Sequence, residues 1–207
     1  MNSTKIITTV LASLTLTAYQ PDKSQTPEQQ QMPQQRTFMQ LASDRFACRS
    51  FSDKEVPDSL LNLVLEAGRL APTAVNYQPQ RIYVIRSEEA LKKLNEAYVG
   101  STYNAPIVLL FAFDDKTVWN NTLWENGHTG AIDVSIVATH CMMEAEDIGL
   151  NTVWCGATNN KAVEQAMELP ANEHSVLLMP LGYKTDDCKP SPMHTDRKPL
   201  KETVVFK

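Results

Sequence analysis

Residues 106–113 form a continuous apolar run, Pro-Ile-Val-Leu-Leu-Phe-Ala-Phe, and this run limits the possible folds more than any other segment. A strand with one face in water alternates apolar and polar side chains, because successive side chains point to opposite faces. A strand that is covered on both faces has no such alternation. We therefore predict a strand in a sheet that is covered on both faces.

The segments on either side of this run alternate between helical and strand patterns, which predicts an α+β layered domain with a mixed sheet between helices. A helix opens at Pro57-Asp58-Ser59 and stops before Pro72. Its predicted apolar face consists of Leu60, Leu61, Val64, Leu65 and Gly68. The other predicted elements are strands over 81–85, 152–155 and 175–181, and a helix that starts at Ser87 and runs to Asn95.

The longest helix is predicted over residues 129–148. Its apolar stripe is predicted to contain Ile132, Ile136, Val137, His140 and Met143, which recur at helical spacing. His140 lies within this stripe, and we therefore interpret it as a core histidine.

Composition favours one globular domain and excludes two classes of ligand site. The chain has 207 residues, of which 43% are hydrophobic and 21% charged. Its net charge of −5 and its lack of a basic run argue against binding to nucleic acid. The seven glycines form neither G-x-G-x-x-G nor a P-loop, so a nicotinamide nucleotide would visit the protein rather than reside in it.

The cysteines and histidines do not form a metal-binding pattern. The cysteines are at 48, 141, 155 and 188, without a C-x-x-C pair, and the histidines are at 128, 140, 174 and 194. We interpret the cysteines as buried free thiols rather than as disulfides or metal ligands.

The first 36 residues differ in character from the rest. Residues 1–19 resemble a bacterial secretory signal, because Lys5 is followed by an apolar, threonine-rich run too short to span a bilayer. Tyr19 occupies the place where a lipoprotein signal would have its lipidated cysteine, so lipid has no acceptor there. Residues 20–36 are rich in Gln and Pro and are predicted to form a linker. The alternative is a disordered cytoplasmic tail.

The segment from Pro72 to Pro79 contains two primary amides, Asn76 and Gln78. The prolines are expected to keep it out of helix and to present both amides on one side of an extended stretch. An amide both donates and accepts hydrogen bonds, and the pyrimidine edge of a flavin offers carbonyl, N–H and carbonyl groups in turn. The segment therefore predicts a flavin site, although turn chemistry between prolines is an alternative.

Four motifs, in order, resemble those of the nitroreductase family of FMN-dependent oxidoreductases and together span about residues 38–204. The family opens with R-R-S-(I/V)-R-x-(F/Y), which corresponds to residues 45–51 here. A helix running into A-P-S-x-x-N-x-Q-P corresponds to 60–79, and G-L-G-T-x-W corresponds to 149–154. Pro-Leu-Gly-Tyr at 180–183, with Arg-Lys-Pro-Leu at 197–200, completes the resemblance.

The resemblance implies a nitroreductase-like FMN-binding domain over residues 37–207. Its fold would have three layers, α/β/α, with a mixed, mostly antiparallel central sheet. This chain departs from the family at three places. Phe46 replaces a basic residue, and Ala47 replaces a serine and leaves only backbone contacts there. Asn151 replaces a glycine, but asparagine tolerates left-handed backbone angles.

The resemblance also implies which residues hold the FMN. Arg45 and Arg197 match positions at the phosphate, and Arg49 matches a position on the pyrimidine side, where a cation stabilises the charge of the reduced ring. Arg45 and Arg49 are four apart and would share a face if the segment were helical; a solvated pair at a helix end is the alternative. An exposed tail charge is the alternative for Arg197. The complete predicted set is Arg45, Phe46, Ala47, Arg49, Pro72, Thr73, Ala74, Asn76, Gln78, Trp154, Gly156 and Arg197.

Trp154 and Gly156 match a family strand that runs under the flavin ring, where glycine lets a backbone N–H approach N5. The alternative for Trp154 is a core position. Trp119, Trp124 and His128 precede the longest helix and either line the substrate pocket or anchor a surface loop.

The resemblance implies a homodimer with two FMN molecules at the interface, each held by residues of both chains. NAD(P)H would reduce the flavin, and a nitroaromatic or quinone would then take two electrons in a ping-pong reaction. Two alternatives stay open: a flavin carrier without turnover, and a dehalogenase or dehydrogenase of the same fold. The sequence does not distinguish NADH from NADPH, and an exported protein would meet little of either.

Overall fold

The structure, a computed structural model, describes residues 36–120, 127–156 and 158–207. The predicted signal at 1–19, the linker up to residue 35 and Trp124 lie outside the described residues. The helices are α1 (Phe38–Asp44), α2 (Asp58–Leu70), α3 (Glu88–Ala97), α4 (Gly130–Asp147), α5 (Asn160–Ala166) and α6 (Leu200–Thr203). The strands are β1 (Gln80–Ile85), β2 (Ile107–Asp114), β3 (Asn151–Thr152) and β4 (Glu173–Gly182).

The strands form one sheet in the order β1-β2-β4-β3, and every neighbouring pair is antiparallel. A parallel bridge between Ala47 and Thr152 adds a short segment beside β3. The sheet is therefore mixed and mostly antiparallel, as predicted.

The strand β2 is buried along its whole length and separates two hydrophobic clusters. Alternate side chains, such as those of Leu109 and Phe111, pack with α2 and α4. The intervening side chains of Val108 and Leu110 pack with Leu94 of α3 and with α5. This alternation explains the uninterrupted apolar run and confirms the predicted α/β/α layers.

The helix α2 also follows its predicted pattern: it begins after Pro57, ends before Pro72 and buries Leu61, Val64 and Gly68. A Cβ atom at Gly68 would lie 2.5 Å from the Cys141 sulfur, so the glycine allows α2 to approach α4 closely.

The buried face of α4 differs from the predicted stripe. Val137 is buried, but Ile132 is 53% exposed and His140 is exposed, so His140 is not a core histidine. The face turned to the core consists of Gly130, Asp133, Val134, Val137, Ala138, Cys141 and Ala145. Small and apolar side chains occur around most of this helix, and the spacing alone does not identify the covered face. None of the helices in the described ranges is long and apolar enough to cross a membrane.

The predicted strand at 152–155 is shorter in the structure. The strand β3 ends at Thr152, and Cys155 makes only an isolated bridge to Leu178. Pro180 lies opposite Val153 and has no N–H to donate, which explains why the ladder breaks here.

Candidate functional site

Residues 45–51, here called the arginine strip, are not helical. The helix α1 ends at Asp44, and the strip then runs beside β3, where the Cys48 N–H donates to the Thr152 carbonyl at 2.9 Å. The condition under which Arg45 and Arg49 would share a helical face is therefore not met. Pairing with β3 is a contact between distant residues, which the local sequence does not reveal.

Burial alternates along the arginine strip. Phe46 and Cys48 are 8% and 0% exposed and pack in the hydrophobic cluster that contains Val108 and Leu110. Arg49, in contrast, is exposed, and Arg45 and Ala47 are half-buried. In an extended chain, residues two and four apart share a side. The two arginines thus lie on one side after all, with Ala47 between them, and Phe46 can offer a ligand only its backbone.

Trp154 and Gly156 follow β3 and lie near the arginine strip. Trp154 is 41% exposed, so it is not a core residue, and Gly156 is also exposed. Between them, Cys155 points inward; burial raises the pKa of its thiol, while the hydrogen bond from Tyr98 and the charge of Arg49 lower it. A Cβ atom at Gly156 would meet no atom of the described residues within 4 Å, so this part of the chain leaves the space above the Gly156 backbone open.

The C-terminal segment brings Arg197 to the same region. Nε2 of His194 lies 3.0 Å from the Ser43 carbonyl, and its ring meets the Phe46 ring edge-on with 6.3 Å between centroids. Arg197 follows on the exposed surface, where its guanidinium donates to the Asp196 carbonyl at 2.9 Å. The structure thus groups the segment that carries Arg197 with the arginine strip.

Residues 72–79, here called the amide loop, form a tight turn rather than the predicted extended stretch. Ala74–Asn76 is one 3₁₀ turn, and Val75, Asn76 and Gln78 have left-handed φ angles of 53°, 58° and 52°. The Gln78 N–H donates to the Thr73 hydroxyl at 3.0 Å, which closes the turn. Both predicted amides are exposed on this loop.

A buried acid, Asp133, holds the amide loop in place and was not predicted as a site residue. Its Oδ1 accepts the Ala74 N–H at 2.8 Å, and its Oδ2 accepts the Thr129 hydroxyl at 2.7 Å. Asp133 is 2% exposed and lies in the first turn of α4. An acid in the first turn of an apolar helix is the signal that could have identified it.

The arginine strip and the amide loop lie at opposite ends of the sheet. Thr152 pairs both with the arginine strip and with Leu181 of β4. Leu181 in turn pairs with Ile107, the first residue of β2. The Pro79 carbonyl accepts the N–H of Asp114, the last residue of β2. At about 3.4 Å per residue, the two ends of β2 are about 24 Å apart. One chain therefore does not bring all the predicted residues to one ligand.

His128 lies at the amide-loop end of the sheet. Its ring packs on Phe113 with 5.1 Å between centroids, and its Nδ1 accepts the Gly130 N–H at 3.2 Å. The Thr129 N–H donates to the Trp119 carbonyl at 3.2 Å, so Trp119 and His128, the two predicted pocket residues that the structure describes, flank the start of α4. Among the described residues, no three His, Cys, Asp or Glu side chains meet as a metal-ligand set.

Comparisons with known proteins agree with this fold. The profile of the nitroreductase family matches residues 42–102 and 95–183. A Stutzerimonas stutzeri protein, provisionally named NADH dehydrogenase/NAD(P)H nitroreductase, is 30% identical over 164 residues, which are 69% of this chain and 83% of that protein. The Bacillus subtilis FMN reductase (NAD(P)H) is 28% identical over 161 residues, covering 70% of this chain and 64% of that protein. The crystal structure of a nitroreductase family protein from Clostridium difficile matches with a TM-score of 0.77 and 32% identity, over 83% of this chain and 99% of the other.

Proposed function

Because the chain belongs to the nitroreductase family, we propose that it is an FMN-dependent oxidoreductase that passes two electrons from NAD(P)H to a nitroaromatic, a quinone or a similar acceptor. The observation that carries this proposal is the arginine strip, which presents Arg45 and Arg49 on one side, next to the open backbone at Gly156. Two cations beside an uncovered backbone suit a ligand that has both a phosphate and a flat ring.

The residues present fit FMN, which when bound would accept and pass on an electron pair. Arg45 and Arg197 would hold the phosphate, and Arg49 would stabilise negative charge on the pyrimidine side of the ring. The free space at Gly156 allows its N–H to approach a ring atom. The exposed amides of Asn76 and Gln78 would donate to and accept from the polar ring edge.

We further propose that each site is shared by two copies of the chain. The arginine strip and the amide loop are too far apart to hold one FMN in a single copy, whereas the strip of one copy and the loop of its partner could meet across a twofold axis. Exposed apolar side chains on α1 and α4 support such an interface, since Phe38, Met39 and Ile132 are 70%, 75% and 53% exposed.

Purified protein tests the proposal directly. It should be yellow, or become so with added FMN, and keep its flavin absorption through dialysis. NADH or NADPH alone should bleach that absorption anaerobically, and a nitroaromatic or quinone added afterwards should restore it, because a ping-pong enzyme performs each half-reaction separately. Protein that binds no FMN under any of these conditions would exclude the function.

A flavin carrier without turnover is the second candidate, and Ala47 favours it, because this residue removes a hydroxyl from the proposed cofactor site. The same experiment separates the two functions. A carrier would hold flavin that dithionite reduces and that neither nucleotide reduces.

We also propose that residues 1–19 direct export to the bacterial cell envelope. The support is the apolar run after Lys5 and the Gln- and Pro-rich segment behind it. Fractionation of a bacterial host that expresses the full chain tests this, and Tyr19→Cys should convert the chain into a lipoprotein. A Tyr19→Cys protein that stays soluble and without lipid would favour a cytoplasmic tail.

A further inference from the structure

Two cysteines that are far apart in the sequence touch inside the described domain. The sulfurs of Cys48 and Cys188 are 3.3 Å apart, although 140 positions separate the residues in the chain. Cys48 is on the inner side of the arginine strip and is fully buried, and Cys188 is 9% exposed in the segment after β4. The sequence predicted free buried thiols, and both are free in the structure, but their pairing was not predicted.

The two segments that carry this pair are joined by hydrogen bonds. The Ser52 N–H donates to the Tyr183 carbonyl at 2.8 Å, and the Thr185 N–H donates to the Ser50 carbonyl at 3.2 Å. The Thr185 hydroxyl also donates to the Ser50 hydroxyl at 2.8 Å. The cysteine pair lies just beyond these contacts on both segments.

The other two cysteines have different neighbours. Cys141 lies between α4 and α2, against the backbone of Gly68, and Cys155 lies beside Tyr98. Among the described residues, Cys48 and Cys188 are the only cysteines whose sulfurs are in contact. A disulfide needs about 2.05 Å between the sulfurs, so this pair requires an approach of only about 1.3 Å.

We propose that Cys48 and Cys188 are a reversible disulfide site that joins the arginine strip covalently to the C-terminal segment carrying Arg197. The oxidant is a small organic disulfide. Formation of the bond does not depend on the proposed function. Its effect on cofactor binding does, because the two joined segments supply Arg45 and Arg197.

The reaction is a two-step exchange. The thiolate of Cys188 attacks one sulfur of the small disulfide, whose S–S bond breaks and releases one thiolate. The thiolate of Cys48 then attacks the Cys188 sulfur of the mixed disulfide and releases the second thiolate. Both protons lost by the cysteines end on the released thiols, and the two electrons lost by the protein reduce the small disulfide to two thiols.

Cys188 reacts first because it is the more accessible thiol. Burial raises the pKa of the Cys48 thiol to about 12, and this suppresses its thiolate at neutral pH. Cys48 therefore attacks only after a sulfur leaving group is already bound beside it. This order predicts slow oxidation that accelerates with rising pH.

Peptide mapping of the full chain tests the proposal. The protein is equilibrated with reduced and oxidised glutathione at several ratios, alkylated in denaturant without reduction, and digested with trypsin. The expected product joins residues 46–49 to residues 185–197, because trypsin cuts after Arg45, Arg49, Lys184 and Arg197 and does not cut between Lys189 and Pro190. The intact oxidised protein should contain two alkylated cysteines, Cys141 and Cys155, and the reduced protein four.

Variants supply the controls. Cys188→Ser should abolish the cross-link, whereas Cys141→Ala should retain it. Oxidation of the unsubstituted chain should raise the melting temperature by about 5–10 °C, as expected for a disulfide that closes a long loop. That shift should be absent in Cys188→Ser. Cys48→Ser should also abolish the cross-link. If that variant fails to fold, Cys188→Ser still provides the comparison.

Two results would overturn the proposal: alkylation of all four cysteines at every glutathione ratio, or a cross-link between a different pair. A cross-link in protein that binds no FMN would support the disulfide and refute the proposed function. An FMN-loaded protein without the cross-link would do the reverse.

Discussion

The buried carboxylate of Asp133 accepts the backbone N–H of Ala74 at 2.8 Å and so fixes the amide loop to the first turn of α4. The next residue of the loop, Val75, has a φ of 53°, a value that is unfavourable for a β-branched side chain. A contact from outside the loop is needed to hold such a conformation. The loop geometry therefore depends on a residue of another helix.

Asp133→Ala should destabilise the fold and weaken FMN binding. The substitution leaves the Ala74 N–H and the Thr129 hydroxyl without their acceptor, at a cost of about 1–3 kcal/mol in the free energy of unfolding. Asp133→Asn should retain most of the stability, because its amide can accept from Ala74 and donate to Thr129. Urea denaturation and FMN titration measure both quantities. Asp58→Asn, an exposed carboxylate on α2, is the matched control. Equal stability of the Ala and Asn variants would show that these hydrogen bonds do not hold the loop.

Arg49→Ala should weaken FMN binding and lower the reduction potential of the bound flavin. Loss of a cation beside a developing negative charge costs about 1–3 kcal/mol, which for two electrons corresponds to about 20–60 mV. A spectroscopic redox titration of the FMN-loaded variant measures this shift. Arg69→Ala removes an exposed arginine that pairs with Glu66 on α2, and it should leave the potential unchanged. An unchanged potential in Arg49→Ala would place Arg49 away from the ring.

A mixed dimer of two defective chains should recover one complete site. One chain carries Arg45→Ala and Arg49→Ala, and the other carries Asn76→Ala and Gln78→Ala. If each FMN contacts the arginine strip of one copy and the amide loop of the other, the mixed dimer has one doubly defective site and one intact site. Co-expression with two affinity tags isolates this dimer, and its flavin content should be about one FMN per two chains. Flavin content no higher than in either defective homodimer would indicate that the sites are not shared in this way.

Arg36→Ala should destabilise the domain more at neutral pH than at acid pH. Nη1 of Arg36 lies 3.5 Å from Oε1 of Glu146, a carboxylate whose side chain is 13% exposed. Burial raises the pKa of Glu146, and the charge of Arg36 partly offsets that rise. The folded state therefore holds the carboxyl proton of Glu146 more tightly than the unfolded chain does. Folding stability then falls as pH rises above about 4.3, the usual pKa of glutamate.

Without Arg36 the fall in folding stability with rising pH should be steeper. The substitution should lower the free energy of unfolding by about 1–3 kcal/mol near pH 7.5. Thermal melts of both proteins at pH 4.5 and pH 7.5 test this difference. Arg86→Ala, which removes an exposed partner of Asp58, is the control and should show little pH dependence. A loss of equal size at both pH values would mean that Glu146 is not the titrating group.

The sequence was sufficient to predict the central strand. Both faces of β2 are buried, and its apolar run therefore has no competing interpretation. It was insufficient for α4. Apolar side chains such as Ile132 occur on its exposed side as well as on its buried side, and only packing against α2 and the sheet selects the covered face.

The site shows the same division. The pairing of Arg45 with Arg49 was inferred from helical spacing, yet the strip is extended and follows β3, which is remote in the sequence. The amide loop was recognised from its prolines and amides, but its left-handed turn is fixed by Asp133, a contact that no local pattern encodes. At both places the sequence singled out candidate residues, whereas the backbone conformation depends on tertiary contacts.

The position of the arginine strip also determines when the protein can complete its proposed FMN site. The strip is synthesised before the residues that it contacts: it pairs with Thr152, Lys184 and Thr185 and touches Cys188, all of which leave the ribosome much later. Contacts between such distant parts of a chain form slowly, and a domain can complete them only once both parts are available. A nascent chain therefore cannot complete the contacts of the arginine strip until Cys188 has been synthesised and has left the ribosome.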